Sequence, residues 1–433
     1  MNRPRPAGPL ARIVQMAAAL AASDLSRSAV RLLTSLVVAR GLGREAFGRW
    51  TFDLAAASML TVAFDLGLRV LLTREAARED ADVGSLVAGA MAVRLALFLP
   101  AALVLGVALP AFGVVAGDSA RAIAGLAAAG LAYGCVGAIH HASPRRLAAI
   151  LAIELAGAVA LGAGALAIVA RSGGVVDLLN LATLVELVQM AAALALWRVA
   201  APDDRLRRPT LQSARALLTH AWPFAASGLV ANAQTRVAPL MVGWLAGAGD
   251  VASLGVAVRL ENVARRAPYA AFGAALPVFA GEARSERLRQ VRVRFERVLH
   301  GFALAAAVAL VAGARPLVRV TYGPAFAAAV WPLAIAGLGL IPALVNSSRE
   351  VFLYATGHER EALRWGAVAL AVQTAGCALL IPAFGASGAM AALAAGEAAV
   401  WLPLRVAARD AALGPDSDRS DGSAAVAPFP SSA

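Results

Sequence analysis

The sequence predicts an all-α integral membrane protein with about twelve transmembrane helices, arranged as two six-helix lobes around a central cavity. Hydrophobic residues make up 60% of the chain and charged residues only 15%, and the mean hydropathy is +0.71. A dozen apolar segments approach the roughly 20 residues that a helix needs to cross a bilayer. Because lipid offers no hydrogen-bond partners, each of these segments has to satisfy its own backbone, as a helix does.

The predicted spans follow one another with short polar connections. In chain order they are 12–39, 48–72, 84–110, 119–141, 147–170, 175–197, 215–245, 251–280, 295–314, 325–356, 363–381 and 386–405. Spans one, two, seven and eight contain several charged residues. Spans four, eleven and twelve are nearly uncharged, as expected of helices that face lipid or pack against other helices.

The distribution of basic residues predicts the topology. All 39 basic residues are arginine. With a cytoplasmic N-terminus, 23 arginines lie in cytoplasmic segments and seven in segments on the opposite side. Cytoplasmic loops carry the excess of positive charge in membrane proteins, so both termini are predicted to be cytoplasmic.

The chain divides into two similar halves. AASDLSRSAVRLLTSLVVARGLG (21–43) aligns without a gap with AASGLVANAQTRVAPLMVGWLAG (225–247), which suggests an internal repeat of the kind that builds transporter lobes. The predicted domains are an N-terminal lobe at 1–200, a cytoplasmic connecting loop at 201–214 and a C-terminal lobe at 215–409. The small, polar residues of 410–433 predict a disordered cytoplasmic tail.

Charged residues inside the spans indicate a polar interior, since a charge at the bilayer centre costs at least about 2.5–3.5 kcal/mol. Asp24, Arg27 and Arg31 stand at i, i+3 and i+7 and share one helix face. The cations of the polar spans outnumber the acids that could neutralise them locally. Because guanidinium binds phosphate bidentately, the predicted substrate-binding residues for a phosphate or diphosphate group are Arg27, Arg31, Arg69, Arg236 and Arg259.

The alternative for each charge is a structural ion pair within one helix. Asp65 with Arg69, and Glu261 with Arg265, have the i, i+4 spacing of such pairs. Asp24 and Asp65 are predicted to orient the arginines. Buried carboxylates can take up protons in the physiological range, which makes Glu186 and Glu397 candidates for proton coupling. Arg94, Glu154, Arg349 and Glu350 are single charges in other spans, each a candidate for a packing pair, a snorkelling residue near an interface or a titratable coupling site.

Enzyme chemistry is not indicated by any motif in the sequence. Neither a Gly-rich phosphate loop nor a metal-ligand spacing occurs, so we expect no cofactor, no metal site, no catalytic residue and no nucleic-acid partner. Cys135 and Cys377 lie far apart in apolar segments, and we interpret them as small buried residues.

Two segments near the N-terminus carry a family resemblance. ARGLGREAFGRW (39–50) and FDLGLRVLLTREAARED (64–80) resemble the start of the polysaccharide flippases, the lipid-linked oligosaccharide exporters of the multidrug/oligosaccharidyl-lipid/polysaccharide (MOP) superfamily. ALLTHAWPFAASGL (216–229) and GWLAGAGDVASLGVAVRL (243–260) resemble the start of that family's second half. Residues at motif positions are Arg40, Gly43, Glu45, Phe47, Gly48, Asp65, Gly67, Arg74 and Glu75; Gly255 departs from the pattern, where Tyr is usual.

The resemblance implies two six-helix lobes that form a V around a cationic cavity and open alternately to each membrane face. The implied substrate is a sugar or oligosaccharide linked to undecaprenyl diphosphate, carried across the bacterial cytoplasmic (inner) membrane for surface polysaccharide biosynthesis. The expected partners are this lipid-linked saccharide, membrane lipids, a polysaccharide polymerase and glycosyltransferases.

Three alternative functions stay open from the sequence. The nearest is a cation-coupled drug exporter of the same superfamily, which would need a more acidic cavity than the arginine-rich spans provide. A membrane glycosyltransferase, polymerase or ligase would need a larger extramembrane loop than the chain has. The third is a lipid scramblase or scaffold without directed transport.

Overall fold

The computed structural model describes residues 9–76, 82–111, 116–141, 144–200, 211–281 and 286–413. Most of the predicted connecting loop and of the predicted tail therefore lies outside the described residues. Within them the regular structure is helical throughout, as the composition predicts.

The N-terminal half consists of seven α-helices and one π-helical segment. Their bounds are α1 Pro9–Asp65, α2 Leu68–Glu75, α3 Val83–Leu103, a π-helix Val104–Ala108, α4 Leu109–Ala111, α5 Gly117–His141, α6 Pro144–Ala170 and α7 Val175–Ala200. Helix α1 bends at Gly43, which has a φ of 83°. Glycine has no Cβ and adopts this left-handed conformation at little cost. The bend divides α1 into two arms, α1a (9–42) and α1b (44–65).

The C-terminal half begins at α8. Its elements are α8 Leu211–Leu245, α9 Ala248–Gly281, α10 Glu286–Thr321, a 3-10 helix Pro324–Ala329, α11 Val330–Ala355, α12 Glu359–Ala399 and α13 Trp401–Leu413. Helix α12 also bends at a glycine, Gly385 with a φ of 52°, into arms α12a (359–384) and α12b (386–399).

The twelve predicted spans correspond to twelve long helical segments of the described chain, once each bent helix is counted as two arms and the short elements are joined to their neighbours. Seven helical stretches among the described residues are long and apolar enough to cross a membrane by themselves. Helices α1, α8 and α9 are not among these seven. They correspond to spans one, two, seven and eight, which contain several charged residues each.

The second predicted span, 48–72, is not one continuous helix. Leu66 and Gly67 have φ values of 51° and 69°, so the helix stops after Asp65 and starts again as α2 at Leu68. This break separates Asp65 from Arg69, so the two residues no longer stand one turn apart on the same helix.

The two lobes are joined along α1 and α9. Helices α1, α5, α6 and α7 pack together in the first lobe, and α8, α9, α10, α11, α12 and α13 pack together in the second. The largest buried apolar cluster runs across the boundary, from Val38, Phe47 and Trp50 on α1 to Val256 and Leu260 on α9. The lobes therefore share a continuous core around the Gly43 bend.

Candidate substrate site between the lobes

Five charged residues meet on the α1a side of the lobe boundary and form what we call the ion cluster: Asp24, Arg27, Arg31, Glu154 and Arg266. Asp24 on α1a accepts a hydrogen bond from Arg266 on α9. The same carboxylate lies 4.0 Å from Arg27 and 3.8 Å from Arg31. Because one acid serves three arginines, the cluster connects the two lobes and keeps positive charge.

Glu154 on α6 is the second acid of the ion cluster. It accepts a hydrogen bond from Arg27 and lies 3.1 Å from both the Tyr133 hydroxyl and His141 Nε2. The side chain is 7% exposed. The sequence does not predict these contacts, because the partners of Glu154 lie on α1 and α5 and no local spacing connects them.

Arg259 lies at the other end of the lobe boundary, in what we call the aromatic contact: Phe47, Trp50, Thr51, Arg259 and Tyr322. Its guanidinium carbon is 4.8 Å from the Phe47 ring centroid and 5.7 Å from that of Trp50. It donates hydrogen bonds to the Gly255 carbonyl at 3.0 Å and to the Thr51 hydroxyl at 3.3 Å. Arg259 thus joins α9 to α1b, and no acid among the residues that the structure describes pairs with it.

Arg236 on α8 is partly buried and has no ion pair among the described residues. Its Nε atom is buried without a hydrogen-bond partner, and α8 packs against α9, the helix that carries Arg259. A buried guanidinium N–H without an acceptor is unusual. It leaves donor groups free for an anionic ligand.

Asp65 does not form the predicted side-chain pair with Arg69. Its carboxylate accepts a hydrogen bond from Arg94 on α3, and its second oxygen accepts from the backbone N–H of Arg69 at 3.4 Å. Arg94 is 1% exposed and also donates to the Leu131 carbonyl at 3.1 Å. The helix break at Gly67 is the reason, because the i, i+4 relation requires an uninterrupted helix. The Arg69 side chain is exposed.

Other predicted residues are dispersed. The Glu261–Arg265 pair is present within α9, at 2.5 Å between Nη2 and Oε1. Glu397 on α12b accepts a hydrogen bond from Asn346 Nδ2 at 2.9 Å, deep in the second lobe. Glu186 on α7 makes no hydrogen bond or ion pair within the part of the chain that the structure describes.

Of the predicted substrate residues, Arg27 and Arg31 meet in the ion cluster. Arg236 and Arg259 lie on α8 and α9, two helices that pack against each other. Both cysteines are free and buried, as expected of small core residues. No group of three metal-ligand side chains occurs in the described ranges.

A family model for the polysaccharide biosynthesis protein family matches residues 13–281, more than half of the 433-residue chain. The chain belongs to this family. Its membership places it in the MOP superfamily, in agreement with the resemblance found in the segments 39–50 and 64–80. No curated protein sequence matches the chain.

Solved structures of the same superfamily share the fold. The lipid II flippase MurJ in an inward closed conformation superimposes with a TM-score of 0.71 and 12% identity, over 90% of this chain and 88% of MurJ. An inward-facing multidrug resistance MATE transporter gives 0.68 and 14%, over 89% and 94%. A MOP transporter from Pyrococcus furiosus, described as having a binding pocket of reverse polarity, gives 0.61 and 14%, over 94% and 96%. At these identities the likeness concerns the fold alone.

Proposed function

We propose that this family member is a flippase that moves a polyprenyl-diphosphate-linked sugar or oligosaccharide across the membrane by alternating access of its two lobes. A diphosphate and its sugars cross hydrocarbon only at a prohibitive free-energy cost. A polar, cationic path between the lobes lowers that cost while the lipid tail stays in the bilayer. The family model, named for polysaccharide biosynthesis, supports a saccharide substrate.

The excess of arginine at the lobe boundary carries this proposal. The ion cluster contains three arginines and two acids, and Arg236 and Arg259 add two cations that have no acid of their own among the described residues. Arg31 is 57% exposed, and its one ion pair within the described ranges, at 3.8 Å, is to an Asp24 that two other arginines share. Arg31 and Arg236 therefore have donor capacity for an incoming diphosphate, which guanidinium binds bidentately.

A drug exporter for cationic compounds is the less favoured alternative. Such a substrate would bring positive charge to a boundary that already carries surplus arginine, and like charges in a medium of low dielectric repel strongly. The family model supports the same preference, since its description refers to polysaccharide biosynthesis.

The remaining elements of the proposal concern the cellular setting. The protein would work in the bacterial inner membrane, with both termini cytoplasmic, alongside glycosyltransferases that build the lipid-linked saccharide and a polymerase that consumes it. Transport would be secondary or driven by the membrane potential, with Glu186 and Glu397 as candidate coupling groups. Labelling of the 201–214 loop from the cytoplasmic side tests the orientation.

The test replaces Arg31 or Arg236 by alanine and follows flipping of a polyprenyl-diphosphate-linked sugar in proteoliposomes. We expect each variant to lose at least about tenfold in transport, because each removes a charge-assisted contact to the diphosphate. A lysine at either position should restore part of the rate, since lysine keeps the charge without the planar fork.

Arg121→Ala is the matched control, because Arg121 is exposed and pairs with Asp118 at 2.6 Å away from the lobe boundary. It should transport at the wild-type rate. Normal transport by the Arg31 and Arg236 variants, or export of a cationic dye by the wild type without saccharide flipping, would overturn the proposal.

A further inference from the structure

A second cationic site lies on the outside of the C-terminal lobe, where α10 ends and the 3-10 helix begins. The structure has a groove there of about 580 Å³, which we call the outer groove. Its walls include two arginines one helical turn apart, a glycine with a φ of 93° that ends α10, and an exposed tryptophan. The residues that define it are Arg315, Arg319, Gly323, Pro324, Ala327 and Trp331.

The two arginines of the outer groove are free to bind an anion. Both are exposed, and neither has an ion pair with an acid among the residues that the structure describes. At i, i+4 they project from one face of α10. Nearby, Arg40 of α1a donates a hydrogen bond to the Val320 carbonyl at 2.5 Å, which occupies one carbonyl of the last helical turn and adds a third cation.

The outer groove lies where a membrane–water interface is expected from the ends of the candidate spans. Two candidate membrane spans, Arg292–Thr321 and Pro324–Ala355, meet at the turn that forms it. Val320 and Trp331 are 73% and 72% exposed, an apolar surface that suits contact with lipid. Tryptophan is enriched at this level of the bilayer, where its ring reaches both the apolar and the polar layer.

From this arrangement we infer that the outer groove binds the phosphate headgroup of an anionic phospholipid. The phosphate would lie between Arg315 and Arg319, which offer the bidentate donors that it prefers. The lipid's glycerol and acyl chains would follow the apolar lining formed by Val318, Ala327 and Val330. Free phosphate could also bind the arginines, but it would make no contact with this apolar lining. The inference does not depend on the proposed flippase function.

The test measures binding of phosphatidylglycerol and of phosphatidylcholine to the purified protein by native mass spectrometry, with thermal unfolding in parallel. We expect the wild type to prefer phosphatidylglycerol. The variant R315Q/R319Q should bind phosphatidylglycerol about tenfold more weakly, since it loses two charge-assisted contacts. Its affinity for phosphatidylcholine should fall less, because the choline ammonium of that lipid is repelled by the same two arginines, and its melting temperature in that lipid should not change. R315K/R319K should fall in between, because lysine keeps the charge without the fork.

The matched control is R121Q/R171Q, which removes two exposed arginines that are predicted to lie on the same side of the membrane but do not line the outer groove. If this control bound phosphatidylglycerol as weakly as R315Q/R319Q does, the preference would come from general attraction between charges, and the inference would be overturned. Displacement of phosphatidylglycerol by millimolar inorganic phosphate would assign the arginines to free phosphate instead. A lower melting temperature of R315Q/R319Q in phosphatidylcholine would show that the arginines only stabilise the end of α10, and would also overturn it.

Discussion

Helices α1 and α9 meet at both the aromatic contact and the ion cluster, and they do so with different chemistry. At the aromatic contact, Phe47 is fully buried and Gly48 lies directly against the backbone carbonyl of Ala248. At the ion cluster, the lobes are joined through the Asp24–Arg266 pair, whose side chains are 45% and 32% exposed. Packed apolar surface excludes water over its whole area, whereas an exposed ion pair contributes about 0–1 kcal/mol.

The difference suggests where the lobes separate. Opening the aromatic contact would expose a core that is continuous across both lobes, while opening the ion cluster would break one solvated pair and leave Arg27 with its partner Glu154 inside the first lobe. We therefore expect the lobes of this conformation to separate more readily at the ion cluster, while the aromatic contact stays closed.

The largest effect should come from Gly48→Ala. A Cβ at this position would lie 1.9 Å from the Ala248 carbonyl oxygen, a backbone atom that has no rotamer to adopt, so α1b and α9 have to move apart. A reporter cysteine can be placed at Ala252, which is fully buried on α9. In the Gly48→Ala variant it should react with a membrane-impermeant maleimide at least about tenfold faster than in the wild type, because the population shifts from the closed to the opened contact.

Gly301→Ala is the control for this effect, because nothing lies within 4 Å of a Cβ there. It should leave the labelling rate unchanged. Equal labelling rates in the Gly48 variant and the wild type would mean that the lobes accommodate the methyl group without opening.

The next largest effect concerns Glu154→Gln in the ion cluster. Removing one partner of a buried ion pair costs about 3–5 kcal/mol. Because the Arg27 side chain is 21% exposed, we expect Glu154→Gln to lower the unfolding free energy by about 2–3 kcal/mol. The double variant R27Q/E154Q should recover part of this loss, since no unpaired charge remains. Chemical unfolding in detergent measures both.

Glu361→Gln provides the matched comparison for a solvated pair. Glu361 and Arg364 are 3.8 Å apart and 42% and 66% exposed. Its removal should change the unfolding free energy by less than about 1 kcal/mol. An effect of Glu154→Gln as small as this one would show that the ion cluster is solvated throughout.

The smallest effect separates charge from packing in the aromatic contact. Phe47→Leu keeps most of the buried apolar volume but loses the ring that faces Arg259, an interaction worth about 0.5–2 kcal/mol. Phe326→Leu alters an equally buried ring, 1% exposed, that contacts Phe47 edge-on. We expect Phe47→Leu to lower the unfolding free energy by about 1 kcal/mol more than Phe326→Leu. Equal losses would assign the stability to packing alone.

The candidate site could be predicted only in part from the sequence. The face shared by Asp24, Arg27 and Arg31 was visible because helical spacing is local, and these residues do meet. Glu154 and Arg266 were not assigned to that site, since they lie 127 and 242 residues from the partners to which they bond. The Asp65–Arg69 interpretation failed for a different reason, namely that Gly67 interrupts the helix on which the spacing rule depends.

The sequence by itself determined the membrane class, the positions of the twelve helical segments and the family. Segment length, hydropathy and the motifs around Gly43 and Gly67 are properties of neighbouring residues, and the bilayer requires helices wherever apolar runs are long enough. The tertiary structure alone decided which charges are neutralised. That outcome depends on how each helix is rotated and which helix lies beside it. Asp65 pairs with Arg94 of α3, 29 residues away, whereas Arg259 packs against aromatic rings and not against an acid.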